Sequence, residues 1–199
     1  MLTTTSNTLS NLHHDLDQTK RFLKALDPSA SRFTFQFLWD DKARRDSNEP
    51  LPSNLGRNVQ DFKADELCSA IANWNSAACP VGCFVTVNET GLNGSRKAKD
   101  IRRVRAVFVD IDEELARVEA ALKVFPLVPS AVIESSPGKA QAYWFVQGAF
   151  PLDQFKPFQE ALIKHFGTDR SVNDLPRVMR LTYEHGTHSR QPKGGIARS

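Results

Sequence analysis

Asp110 and Asp112 stand two residues apart at the end of the apolar run Ala106-Val-Phe-Val109. On a strand that spacing turns both side chains to one face, with α-carbons about 6.5–7 Å apart, so the two carboxylates can share a divalent cation. Without one, their mutual repulsion is costly, and oxygen-only donors suit Mg²⁺ or Mn²⁺. The tripeptide alone says little, because Asp15-Leu-Asp17 repeats it. That pair opens an amphipathic helix, where acidic residues complement the helix dipole. Position at the end of a buried strand separates the second pair from the first.

A third carboxylate is available in Asp169-Arg-Ser-Val-Asn-Asp174. Asp174 is the better candidate because it lies closer to Arg177 and Arg180, which can hold phosphates beside a metal; Asp169 reads as a turn or helix-end residue. Three carboxylates, a pair of cations and nearby Arg residues are the parts needed to stabilise an in-line phosphoryl displacement. Ser135-Ser-Pro-Gly-Lys139 adds backbone amides, the Ser136 hydroxyl and the Lys139 ammonium, groups able to meet a triphosphate. The same residues also make an ordinary Pro-Gly hairpin turn. It is not a Walker A loop, since the Gly-x-x-x-x-Gly-Lys spacing and the following helix are absent. Gln141 shares the face of Lys139. Arg102, Arg103 and Arg105 either solvate a strand edge or neutralise template phosphates, the interaction that supplies most sequence-independent affinity.

Other chemistries fit less well. Neither a Ser-His-Asp nor a His-Glu-x-x-His pattern is present. Three cysteines, Cys68, Cys79 and Cys83, are too few for a disulfide framework, and Cys79-Pro-Val-Gly-Cys83 lacks a second ligand pair for zinc. The sequence shows no bilayer-length apolar stretch and no signal peptide, so a cytoplasmic protein without a membrane partner is expected. Net charge is +3, but six Lys or Arg crowd the segment from Arg96 to Arg105 against one Asp.

The elements that position these residues follow from periodicity. Leu16, Phe22, Leu23 and Leu26 share a helical face that Pro28 stops, and Phe33 to Trp39 alternates as a strand. Asp41 to Asn58 is polar and reads as a loop or insertion. Asp65 is placed to cap a helix through Trp74, and Cys83 to Asn88 is the next strand. Beyond it come a strand over Val104 to Ile111, a helix over Glu113 to Phe125, strands over Ala131 to Ser135 and Ala140 to Val146, a helix capped by Asp153 and ended by Gly167, and a strand over Arg177 to Leu181. This β-α-β-β-α-β order is a split βαβ, in which the last strand packs beside the first and returns the chain to Asp110.

Val107-Phe-Val-Asp-Ile-Asp112, Glu134-Ser-Ser-Pro-Gly-Lys-Ala-Gln-Ala-Tyr-Trp144 and the run from Asp169 to Leu181 together resemble the archaeo-eukaryotic primase superfamily, nearest to the RepB-like primases and primase-polymerases of plasmids and phages. Phe33-Thr-Phe-Gln36 and Gly82 to Asn88 extend the resemblance over roughly residues 30 to 190. It implies an α+β fold: one catalytic domain over 1–199, with an N-terminal α/β lobe over about 1–100, an RRM-like lobe over about 101–190 and a basic tail at 191–199. Asp110, Asp112 and Asp174 would bind two divalent cations, Mg²⁺ or Mn²⁺. Ser136, Lys139, Gln141, Arg177, Arg180 and His188 would contact the nucleotide, and Arg102, Arg103 and Arg105 the template. Many relatives carry His where this chain has Gln141, which brings no positive charge.

The implied reaction is DNA-templated nucleotidyl transfer from an NTP or dNTP to a primer, on single-stranded DNA. A helicase or a separate helical primase domain is the implied partner. The rival readings are a replication-initiator or single-strand-binding module without catalysis, and a metal-dependent nuclease.

Overall fold

A computed structural model describes residues 12–14, 16–76, 79–112, 115–136, 138–181 and 183–185. In chain order the elements are β1 (Leu12–His14), α1 (Leu16–Leu26), β2 (Phe33–Trp39), α2 (Lys42–Asp46), β3 (Val59–Phe62), α3 (Ala64–Trp74), β4 (Asn75–Ser76), β5 (Cys79–Thr86), β6 (Glu89–Thr90), β7 (Ile101–Arg103), β8 (Ala106–Ile111), α4 (Leu115–Val124), β9 (Ala131–Ser136), β10 (Lys139–Phe145), α5 (Leu152–Phe166), β11 (Val178–Arg180) and β12 (Tyr183–His185).

Two antiparallel sheets carry the molecule. The first runs β11-β5-β2-β3, with β4 also on β5, and the second runs β8-β10-β9; β6 pairs β7, and β1 pairs β12. Alternation along β2 puts Phe33, Phe35, Phe37 and Trp39 into a core shared with Phe22, Leu23 and Leu26 of α1 and Leu67 and Ile71 of α3. The Phe22 ring lies 5.0 Å from Tyr143 on β10, and Tyr143 lies 6.1 Å from Phe108 on β8, so one aromatic column joins α1 to the second sheet. Behind β10, Trp144 stacks on Phe166 of α5 at 5.7 Å, with Phe125 edge-on to both.

Three expectations need correcting. The last strand does form, but it pairs with β5, Met179 opposite Val85, and not with β8. The reason is Gln159 of α5. Its fully buried side chain occupies the free edge of β8: Phe108 N–H donates to its Oε1 at 3.2 Å, and its Nε2 donates to the Phe108 and Val172 carbonyls. A helix therefore flanks β8 where a fourth strand was expected. Second, the polar stretch 41–58 contains α2, capped by Asp41, and a short 3-10 turn at Ser53–Leu55, and strand β3 follows it. Third, Asp65 and Asp153 are not caps but first-turn residues; Pro151 precedes α5 at the cap position, and at α3 the Glu66 carboxylate accepts from the Lys63 N–H at 3.0 Å.

Gln159→Leu keeps the size of the side chain but leaves backbone groups of Phe108 and Val172 unpaired in a dry site. Unfolding in urea should show a loss of about 2–4 kcal/mol, since each buried orphan group costs about 1–3 kcal/mol. A loss below about 1 kcal/mol would mean that water reaches this edge.

Candidate active site

Strand β8 delivers the carboxylates. Residues 106–109 are buried, Asp110 is half-buried, and Asp112, just past the strand end, is exposed. Asp110 and Asp112 line a cavity of about 290 Å³ with Arg117, Gly167, Thr168 and Asp169. Gly167 ends α5 with a left-handed φ of 63°, and Arg117 donates to the carbonyls of Phe166 (3.1 Å) and Gly167 (3.4 Å), fixing that wall. Burial, then the charges of Asp112 and Asp169, push the Asp110 carboxyl up to about 6; Lys139 and Arg177 act in the opposite direction. The Lys139 ammonium lies 3.0 Å from Asp112.

Strand β10 supplies the facing residues. Gln141 is the register partner of Asp110, and only 3% of it is exposed. Its Oε1 accepts from the Tyr143 hydroxyl at 2.7 Å, and burial followed by the Asp110 charge pushes that phenol's pKa up. Gln141 thus supports the Asp110 strand from below instead of facing solvent. Gly138, with φ 76°, makes the turn that returns Lys139 opposite the Ser136 backbone.

The segment after α5 brings the remaining acids. Asp169 accepts from the Ser171 N–H and hydroxyl, both at 2.8 Å, the turn role read for it in the sequence. It is nevertheless the third carboxylate of the cavity. Asp174 does not line that cavity: its Oδ1 lies 2.5 Å from the Arg177 guanidinium yet makes no hydrogen bond. Arg177 also donates to the Ser171 carbonyl. Arg180 is turned to Asp40 at 2.6 Å and packs over Phe84 at 4.7 Å. Gly82 makes room for that pair, because a Cβ there would collide with the Asp40 carboxylate.

Arg103 and Arg105, expected at the template, are both placed against acidic side chains. Arg105 is 2% exposed, donates to Asp27 at 2.7 Å and stacks on Phe33; Arg103 bridges Asp27 (2.5 Å) and Glu89 (2.7 Å). These cations neutralise a buried acid. Arg102 alone of the three is exposed. His188 and the basic tail lie outside the described residues. Sequence reading missed Arg117 and the cavity role of Asp169; the signal was Gly167, whose helix stop obliges residues 168 and 169 to turn back toward β8.

Among the described residues, no three His, Cys, Asp or Glu side chains are close enough to hold a metal as they stand. The residues nonetheless suit a hard divalent cation. A half-buried carboxyl raised by two like charges, with only oxygen donors around it, gains from added positive charge.

A family model for the RepB DNA-primase N-terminal domain matches residues 59–193. The chain superposes on the AEP domain of the primase-polymerase of cyanophage S-2L with a TM-score of 0.62 at 18% identity, over 85% of this chain and 83% of that one. With primase RepB′ the TM-score is 0.55 at 18% identity over 88% of this chain, which spans about half (52%) of that protein's length. At such identity the likeness concerns the fold. No curated protein matches the chain significantly in sequence.

Proposed function

The chain belongs to the RepB DNA-primase N-terminal-domain family and has the α+β fold of archaeo-eukaryotic primase catalytic domains, and on that premise we propose that it joins nucleotides on a single-stranded DNA template. A primer 3′-hydroxyl attacks the α-phosphate of an NTP or dNTP, and pyrophosphate leaves. The observation that carries this reading is the cavity at the end of β8, where half-buried Asp110 lies beside Asp112 and Asp169.

Asp110, Asp112 and Asp174 would hold two divalent cations, Mg²⁺ or Mn²⁺. Bound there, such cations acidify the attacking hydroxyl and neutralise charge on the triphosphate. Lys139 leaves Asp112 for the phosphates, and Ser136 lies on the same turn. Arg177 exchanges Asp174 for phosphate oxygen, which frees the carboxylate for the cations. Arg180, held by Asp40, keeps positive charge beside this path. Gln141 orients Asp110's strand through Tyr143.

The test is incubation of labelled template, with and without primer, with NTPs or dNTPs and Mg²⁺ or Mn²⁺. Extension that vanishes in Asp110→Ala supports the proposal. Metal-dependent shortening would identify a nuclease, and binding without product a non-catalytic module. The third ligand has its own test: Asp174→Asn should lower extension by about 10²-fold or more, as expected for loss of a group that stabilises transition-state charge. Asp169→Asn, whose oxygens already serve Ser171, should cost less than about tenfold, or about 1.4 kcal/mol. The reverse order would make Asp169 the ligand.

A further inference from the structure

A second cavity shares the turn that walls the active site. Its volume is about 480 Å³, and it lies between Glu160, Ile163 and Lys164 of α5 and Thr168, Arg170 and Asn173 of the segment that follows. Gly167 and Thr168 line both cavities, whereas Asp169 lines only the one holding Asp110 and Asp112, and Arg170 only the second. The second cavity is preformed. The Thr168 N–H donates to the Ile163 carbonyl at 3.2 Å, and Asn173 Nδ2 donates to Glu160 Oε1 at 3.1 Å, tying the returning segment back to the helix. Between those points Gln159 Nε2 holds the Val172 carbonyl at 3.0 Å.

Two cations line this cavity without a matching acid. Four residues apart on a helix, Glu160 and Lys164 have the spacing of an ion pair. Here Glu160 is instead approached by Lys156 at 3.9 Å and by Asn173, and Lys164 forms no ion pair with a described residue. Arg170 forms none either, and its neighbour Asp169 has both oxygens on Ser171. Lys164 suits the last turn of α5 through the helix dipole, but Arg170 lies outside the helix and has no such reason to be there. Two unpaired cations on one concave wall repel each other, and an anion between them relieves that repulsion. The rest of the lining is mixed: Ile163 is an apolar floor, and Asn173 and Glu160 are hydrogen-bonding groups. The volume falls within the range of about 300–1,000 Å³ usual for small-molecule sites, which is more than an inorganic anion fills.

We propose that this cavity is a second ligand site, separate from the catalytic one, for a nucleoside monophosphate whose phosphate sits on Lys164 and Arg170. Its occupancy is coupled to the catalytic cavity through the turn 167–170. A ligand that draws Arg170 inward moves the adjacent Asp169, and with it the charge around Asp110. By reciprocity, a divalent cation bound among the carboxylates changes the affinity for the nucleotide by the same factor. The ligand site stands independently of the proposed reaction, and only the coupling rests on that reading.

Binding is measured by calorimetry in chelator with AMP, GMP, CMP and UMP, and with adenosine and inorganic phosphate as controls. At least one monophosphate should bind in the millimolar range or tighter, and both controls more weakly. The double variant Lys164→Ala/Arg170→Ala should bind that nucleotide about tenfold or more weakly, as for loss of charge-assisted hydrogen bonds to phosphate, whereas Lys139→Ala should bind it like the parent. Equal affinity in the double variant, with melting as in the parent, would overturn the site, as would loss of binding in Lys139→Ala, which would move the nucleotide to the catalytic cavity. Inorganic phosphate binding as tightly as every nucleotide would overturn the ligand class. Titration of Mg²⁺ with and without the nucleotide then reads the coupling: a several-fold shift in Mg²⁺ affinity that disappears in Arg170→Ala supports it, and no shift overturns it. If the parent extends no primer yet the double variant still loses nucleotide binding, the site stands and the proposed reaction falls. Primer extension by a parent that binds no monophosphate leaves the reaction standing and removes the site.

Discussion

Asp110→Asn is expected to remove template-directed extension and, in the absence of metal, to make the protein more stable at neutral pH. The loss of activity should reach about 10³-fold or more, because a metal ligand supports several kcal/mol of transition-state charge and each 1.36 kcal/mol is tenfold in rate. The gain in stability follows from the carboxyl's titration. Its pKa rises from 3.8 to about 6 on folding, chiefly through burial and then through Asp112 and Asp169. Between those values the folded protein keeps a proton that the unfolded chain has released. Stability therefore falls as pH rises through about 4 to 6, and the full penalty stands above it. The shift alone corresponds to about 3 kcal/mol, which partial solvent access at Asp110 reduces to about 1–2 kcal/mol. Urea unfolding in chelator should show Asn ahead at pH 7.5 and level with Asp at pH 3. Added Mg²⁺ should then stabilise the parent more than the variant. Equal stability at both pH values would mean that the carboxylate is solvated and the site not poised for a cation.

The second large effect is structural. Asp27→Ala should cost about 3–5 kcal/mol, because it leaves the Arg105 guanidinium buried and unpaired. Burial by itself would raise the Asp27 pKa, but hydrogen bonds from Ser29 and Arg105 and the charges of Arg105 and Arg103 hold it at about 2. This contribution is complete above about pH 4 and disappears as pH falls from there through 2. The gap between parent and variant should accordingly be wide at pH 7 and narrower at pH 3 in urea unfolding. Arg105→Leu added to Asp27→Ala should recover part of the loss, since the pair is coupled. A single-variant cost under about 1 kcal/mol would show that solvent reaches Arg105.

Those two residues also show what could be read in the sequence. Asp110 was legible because an apolar run ending in two acids has a local meaning: the strand buries itself and its end emerges. The extents of β8, α4, β9, β10 and α5 followed from periodicity in the same way, to within about two residues. Arg105 was misread because its partner, Asp27, is 78 positions away, and a lone Arg beside other basic residues looks solvated whether it is or not. Strand pairing failed for a related reason. Alternation specifies which face of β11 is buried but not which strand it joins, and nothing local distinguishes Gln159, which seals β8, from an exposed helical glutamine. Asp169 and Asp174 illustrate the limit within one turn: both are acids beside Arg, yet one lines the cavity with its oxygens on Ser171 and the other faces Arg177.

The attachment of β11 to β5 also governs how the polypeptide can be made. Val178 pairs with Thr86, so the first sheet draws its outermost strand from a segment synthesised more than ninety residues later. During translation β2, β3 and β5 can meet as soon as they leave the ribosome, but the outer edge of β5 stays unpaired until the whole second sheet and α5 have followed. That bare edge invites pairing with another nascent chain. Slow codons or a chaperone would matter most in that interval, and a truncation ending before Val178 should aggregate rather than yield a smaller soluble lobe.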